Sequence, residues 1–157
     1  MTRLLIFIVA FVVILFAGCF SQARLEGLAP VSGTVTLDDQ PFEGAMVNLH
    51  PINVENKRPR LGLGMTDNTG HFDIMTLQPK DGVYLGEYKV TVSKTIAIPK
   101  VTPEQEQKLI QQGKPIPEPD IKELVPLLYT DVATTPLTTT IGVKGEKNLT
   151  IELKSKP

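Results

Sequence analysis

Two hydrophobic patterns divide the chain. Residues 4–17 form an unbroken apolar run, LLIFIVAFVVILFA, with no charge and no proline. From Val31 onward apolar residues alternate with polar ones instead. Residues 31–37 put Val31, Gly33, Val35 and Leu37 on one face and Ser32, Thr34 and Thr36 on the other. A period of two with β-branched residues predicts a half-buried strand. The same alternation recurs at 44–50 (Ala45, Val47 and Leu49 inward), 61–66, 71–75 (Phe72 and Ile74 inward), 137–141 and 148–153 (Leu149, Ile151 and Leu153 inward). It is cleanest at 86–93, where Tyr88, Val90 and Val92 oppose Glu87, Lys89, Thr91 and Ser93. Turn chemistry separates these stretches: Asp38-Asp39-Gln40-Pro41, a hairpin turn at Asp67-Asn68-Thr69-Gly70, then 78–82 and 142–147. Pro51 lacks a ladder donor and is expected to end the second strand. Seven short strands with regular turns predict a mainly β fold, a seven-strand antiparallel β-sandwich of transthyretin-like or immunoglobulin-like type.

One segment breaks the alternation. Thr102-Pro103-Glu104-Gln105 is a helix start: a Thr cap, Pro at the first helical position, and Gln three residues after the cap. Gly113 is the matching stop, so a short helix is predicted over 102–112. Its apolar patch is only Leu109 and Ile110. That narrow face is expected to pack on a sheet edge, with docking to a partner as the alternative. Residues 114–119 carry a proline at every second position and read as extended. Residues 95–130 are therefore an insertion between two strands, within a domain spanning 30–157. Residues 19–29 have little periodicity and read as a tether.

The leader decides location. Arg3 precedes the apolar run, and Ala17 and Gly18 follow it, the three-part plan of an export signal spanning 1–18. An uncleaved anchor is the alternative, because the run with Phe20 sits at the lower edge of the roughly 17–25 residues that span a bilayer. Without Arg3 the 16 basic residues become 15, against 17 acidic ones, and no basic surplus points to nucleic acid. Cys19 is the single cysteine, so no intrachain disulfide forms and the fold is held by packing.

Candidate chemistry is sparse. His50 and His71 are the two histidines, and both alternate with inward residues, so both are expected to face solvent. A metal site needs about three or four ligands. Asp67, Asn68, Gly70 and Asp73 lack the loop length and terminal Glu of an EF-hand, and Asp38 and Asp39 read as a turn. Ser21, Ser32, Ser93 and Ser155 stand outside any G-x-S-x-G elbow. No catalytic residue, cofactor or metal site is expected.

Two resemblances add to this. Ala17-Gly18-Cys19 resembles the lipobox of bacterial lipoproteins, although Phe16 stands where that pattern has an aliphatic residue. In that family the Cys thiol receives a diacylglyceryl group, the leader is cut before Cys, and the new amino terminus is acylated. The resemblance implies lipidation at Cys19 and anchoring to a membrane of the cell envelope. Phe20, in place of the Asp that signals inner-membrane retention, favours the outer membrane. The second resemblance rests on Val31-Gly33-Val35, Pro41, Gly44-Ala45-Val47-Leu49, Thr66-Asp67-Gly70-Phe72 and Gly86-Tyr88-Val90-Val92. These are similar to the carboxypeptidase regulatory-like domain, a small transthyretin-like sandwich. That family's domains are generally non-catalytic modules, which implies a binding or structural role toward protein or glycan partners in the envelope. A periplasmic hydrolase or metal-handling protein of the same fold is the alternative. The tail 153–157, Leu-Lys-Ser-Lys-Pro, does not match the Tyr-Arg-Gly-Ser end of the hydroxyisourate hydrolases that share the fold.

Overall fold

The computed structural model describes residues 25–56 and 58–156. The chain is mainly β. Each of the seven predicted strands has a counterpart, and among the described residues five further strands accompany them. One sheet has β2 (Val31–Leu37) at its centre. β12 (Glu146–Leu153) lies on one edge of β2, while β3 (Gln40–Pro41) and β6 (His71–Asp73) lie along the other. The second sheet runs β11 (Thr138–Ile141), β8 (Gly86–Ser93), β4 (Met46–Val54), β5 (Gly62–Met65). Two smaller ribbons pair β1 (Leu28–Ala29) with β7 (Val83–Tyr84), and β9 (Thr95–Ile98) with β10 (Asp120–Glu123).

The alternation read from the sequence builds the core. Val35, Phe72, Ile151 and Leu153 from the first sheet meet Val47, Leu49, Tyr88, Val90, Val92 and Ile141 from the second in one buried cluster. Tyr88 is fully buried, and its hydroxyl donates to the Tyr84 carbonyl oxygen at 2.8 Å. That bond supplies the partner a buried phenol requires, in the manner of a tyrosine corner. Thr66 is equally placed: its hydroxyl donates to the Phe42 carbonyl at 2.6 Å and accepts from the Ala45 N–H at 2.7 Å.

The structure corrects the expectation in several places. β12 runs parallel to β2, so the sheets are not wholly antiparallel. The chain reaches β12 from β11, on the other sheet, through a crossing turn rather than a hairpin. The Glu146 N–H then donates to the Pro30 carbonyl at 2.9 Å, which starts β12 beside the beginning of β2. At Gly33 the two strands approach so closely that an added Cβ would lie 2.0 Å from the Leu149 carbonyl oxygen. Asp67 to Gly70 does turn the chain back as a hairpin, with the Asp67 N–H donating to the His71 carbonyl at 2.8 Å and Leu63 bridged antiparallel to Met75, but the strands beside it then ladder with different sheets, β5 with β4 and β6 with β2. Pro51 does not end its strand. β4 continues to Val54 because β5 pairs only as far as Leu49, so an absent N–H at Pro51 breaks no ladder on that side. Leu28 and Ala29, expected in the tether, pair with Tyr84 and Val83, and Ala29 is buried.

The predicted helix is present as α1 (Pro103–Gln111), with the Thr102/Gln105 capping box formed in both directions. Gly113, at φ 63°, closes it. Its N–H bonds the Ile110 carbonyl at 3.0 Å and the Lys114 N–H bonds the Leu109 carbonyl at 2.9 Å, a complete Schellman end. The helix does not pack on a sheet edge, however: none of its residues is buried. A second short helix, α2 (Leu127–Thr130), drops Tyr129 into the core.

Candidate functional site

Cys19, the expected lipidation site, lies outside the described residues, as does the whole leader. The structure does show where its chain joins the domain. Leu28, nine positions after Cys19, pairs with Tyr84 just before β8 begins. Gly86 at the start of β8 faces Val54 and Ile141, and the Glu146 N–H that follows the Gly142–Gly145 turn donates to the Pro30 carbonyl. All of these mark one end of the domain. Ser93, at the other end of β8, faces Met46, and Met46 faces Met65. The Gly70 carbonyl of the 67–70 turn accepts from the Val35 N–H at 2.8 Å, and the Asp38 N–H donates to the Leu153 carbonyl at 2.9 Å. These mark the far end. Eight residues of strand at about 3.3 Å each separate the two ends by roughly 23 Å.

The candidate groups named from the sequence are dispersed between the sheets. His50 sits on β4 and His71 on β6, in different sheets. His50 is not free in solvent: it is half-buried, and its Nε2 lies 2.9 Å from the Thr91 hydroxyl. Burial holds its pKa below the usual imidazole value. Asn48 donates to the same hydroxyl at 3.3 Å. These neighbours explain why Thr91, expected to be outward, is only 2% exposed.

The acidic turns are already occupied. Asp67 Oδ1 accepts from the Thr69 N–H at 2.8 Å, the Thr69 hydroxyl at 2.7 Å and the His71 N–H at 3.0 Å. The Thr69 bonds chiefly hold its carboxyl below the usual carboxylate range. Asp73 is paired with Lys80 at 2.7 Å. Asp38 and Asp39 adopt φ of 50° and 66°, the mirror-image two-residue turn between β2 and β3. They clasp the C-terminal segment: Asp38 accepts from the Ser155 N–H at 3.0 Å, and Asp39 pairs with Lys154 at 2.8 Å.

One polar groove brings together residues the sequence did not associate. Gly33, Thr34, His71, Lys147, Asn148 and Thr150 line it, on the outer face of the first sheet. Ser32 lies opposite Asp73, and His71 Nε2 is 3.9 Å from Asp73. The arrangement has the residue types of a triad but not its bonds. The Ser32 hydroxyl donates to the Lys147 carbonyl at 3.1 Å, so no base holds it. Among the described residues, no group of three or more His, Cys, Asp or Glu side chains is placed to hold a metal ion. Nor does any buried side-chain nitrogen or oxygen there lack a hydrogen-bond partner.

The feature that stands out is the insertion. β9 and β10 form an antiparallel ribbon with α1 between them, and every β9 side chain is exposed. Its root is clamped by one carboxylate. Glu123 Oε1 accepts from the Lys94 N–H at 2.8 Å and from the Leu124 and Val125 N–H groups at 3.0 Å each. Sequence reasoning read 95–130 as an insertion but missed the ribbon, because its partners lie more than twenty residues apart. The root follows Ser93 directly, so the ribbon leaves from the far end of the domain.

No protein-family model, curated protein or solved structure matches this chain.

Proposed function

We propose that this protein is a lipid-anchored lipoprotein of the bacterial cell envelope, held at Cys19, whose β domain is a non-catalytic binding or structural module. The observation that carries the reading is the Ala17-Gly18-Cys19 motif at the end of the apolar leader, nine residues before the first paired strand at Leu28. An acyl-bearing Cys19 supplies several chains, and stable attachment needs more than one. Phe20 in place of Asp favours the outer membrane. The two four-stranded sheets around one core support a transthyretin-like sandwich, with the short strands and the β9–β10 ribbon as additions to its seven strands.

The partner is a protein rather than a glycan. Sugar faces are commonly met by exposed aromatic rings, which bring apolar area with a polar tip. Among the described residues, Phe72, Tyr84, Tyr88 and Tyr129 are buried and Phe42 is half-buried beneath Lys94. What the far end offers instead is an open strand edge and exposed isoleucines, the means by which a sheet recognises another polypeptide.

Intact-mass analysis of the mature amino terminus tests anchoring. The full chain should yield an N-terminal Cys19 carrying acyl chains, and Cys19→Ser should accumulate as uncleaved precursor. An unmodified sulfur, or unchanged maturation of Cys19→Ser, overturns the reading.

A further inference from the structure

A two-stranded ribbon without a core is marginal in water; independent stability takes three or more strands with an apolar face, or packing on a helix. The β9–β10 ribbon has neither. α1 buries no residue, and the ribbon leaves Ile96 38%, Ile98 44% and Ile121 67% exposed. Among the described residues, both outer edges of the ribbon are unpaired.

The β10 edge carries a register signal. It reads Asp120-Ile121-Lys122, and the prolines at 115, 117 and 119 stop any ladder before Asp120. Laid antiparallel against itself about Ile121, this triplet is self-complementary. Asp120 faces Lys122 of the second copy, Lys122 faces its Asp120, and the two Ile121 side chains meet as a cross-strand apolar pair. A shift of one residue replaces these contacts with mismatched ones. The β9 edge, Thr95-Ile96-Ala97-Ile98, holds no charge and specifies no register.

We propose that the β10 edge is a self-association site, where two copies of this chain join through a two-fold axis at Ile121 into one four-stranded sheet, β9-β10-β10-β9. The contact is isologous, as closed dimers require. Within each copy Ile96 lies opposite Lys122 and Ile98 opposite Asp120, so these share one face of the ribbon, while Ala97 and Ile121 share the other. The joined sheet carries four isoleucines on the first face and the central Ile121 pair on the second. Asp120 is already paired with Lys100 of its own chain at 2.8 Å, so Lys122 of the second copy would join it as a second cation. The proposal rests on the ribbon alone and does not depend on lipidation.

The test uses the full chain in mild detergent with Cys19→Ser, so that an introduced thiol is the only one. Ile121→Cys should form a disulfide-linked dimer under gentle oxidation, because directly opposed residues bring their Cβ atoms within reach of a disulfide. Lys122→Cys should not, since its counterpart is displaced along the strand. Without an introduced thiol, Lys122→Asp should raise the dimer dissociation constant at least tenfold, about 1.4 kcal/mol, and Asp120→Lys with Lys122→Asp should restore it. Light scattering reads both. A monomer in the parent chain, equal crosslinking at 121 and 122, or a dimer indifferent to Lys122→Asp overturns the proposal; Lys122 and the prolines would then act as guards against edge pairing.

Discussion

Replacing Tyr88 by Phe removes one oxygen and leaves the ring in place. The packing of the core is retained, so the measurement isolates the bond to the Tyr84 carbonyl at 2.8 Å. Tyr84 is itself buried, and its carbonyl loses its side-chain donor. A buried bond of this kind contributes about 1–2 kcal/mol, including the acceptor left unpaired. For a domain of this size, that lowers the melting temperature by about 3–8 °C at pH 7. The pH dependence gives a second, independent readout. Burial, with a smaller contribution from Tyr84, pushes the Tyr88 phenol up to about 12 from 10.0. The folded state then holds the proton after the unfolded state has released it. The stabilisation is complete below pH 10 and is lost as pH rises from 10 to about 12, a total on the order of 2–3 kcal/mol at most. Phe has no proton to lose. Urea unfolding should therefore show Tyr88→Phe less stable at neutral pH, with the gap closing or inverting by pH 12. Equal stability at pH 7, or parallel alkaline limbs for the two proteins, would refute the placement of this hydroxyl.

Two further outcomes follow from the geometry. Gly33→Ala puts a methyl 2.0 Å from the Leu149 carbonyl oxygen, which forces the parallel strand away; the urea midpoint should fall by the equivalent of about 2–3 kcal/mol, and an unchanged midpoint would refute the β2–β12 register. Glu123→Ala strips the acceptor from three backbone N–H groups at the root of the ribbon. Hydrogen exchange there and through β9 and β10 should accelerate at least tenfold, about 1.4 kcal/mol, while β2 and β4 keep their protection.

What the sequence disclosed was local. The alternation at 86–93 placed Tyr88, Val90 and Val92 inward, and Thr102-Pro103-Glu104-Gln105 placed the helix start, because both signals act within a few residues. Pairing was not legible. Strand polarity does not appear in a period of two, so the parallel run of β12 beside β2 was invisible. The turn at 67–70 announces a hairpin, and Leu63 and Met75 do pair across it, but its residues do not disclose that β6 ladders with β2. Thr91 looked outward because the side chains that cover it, Asn48 and His50, come from a neighbouring strand. Ile121 and Lys122 alternate too briefly to announce a strand, and their partners Ala97 and Ile96 lie across the helix. For the candidate site the division is the same. Cys19 is marked by its own neighbours, whereas the open edge of β10 exists only after the ribbon has formed.

The disposition of polar groups argues for where activity resides. Side chains capable of chemistry are largely committed to the backbone: Asp67, Asp81 and Glu123 each satisfy N–H groups, and Asp38 with Asp39 ties down the C-terminal segment. A carboxylate holding three N–H groups gains little by leaving them for a substrate. The unspent binding capacity is in the backbone edges of β9 and β10 and in the isoleucines beside them. The Glu123 clamp makes that capacity usable, because an edge presented on a fixed root loses less freedom when a strand adds to it. Since the ribbon springs from the end of β8 remote from Leu28, an anchor at Cys19 leaves it facing away from the chain's own attachment. Under the function proposed above, recognition on this scaffold falls to a strand edge rather than to a pocket.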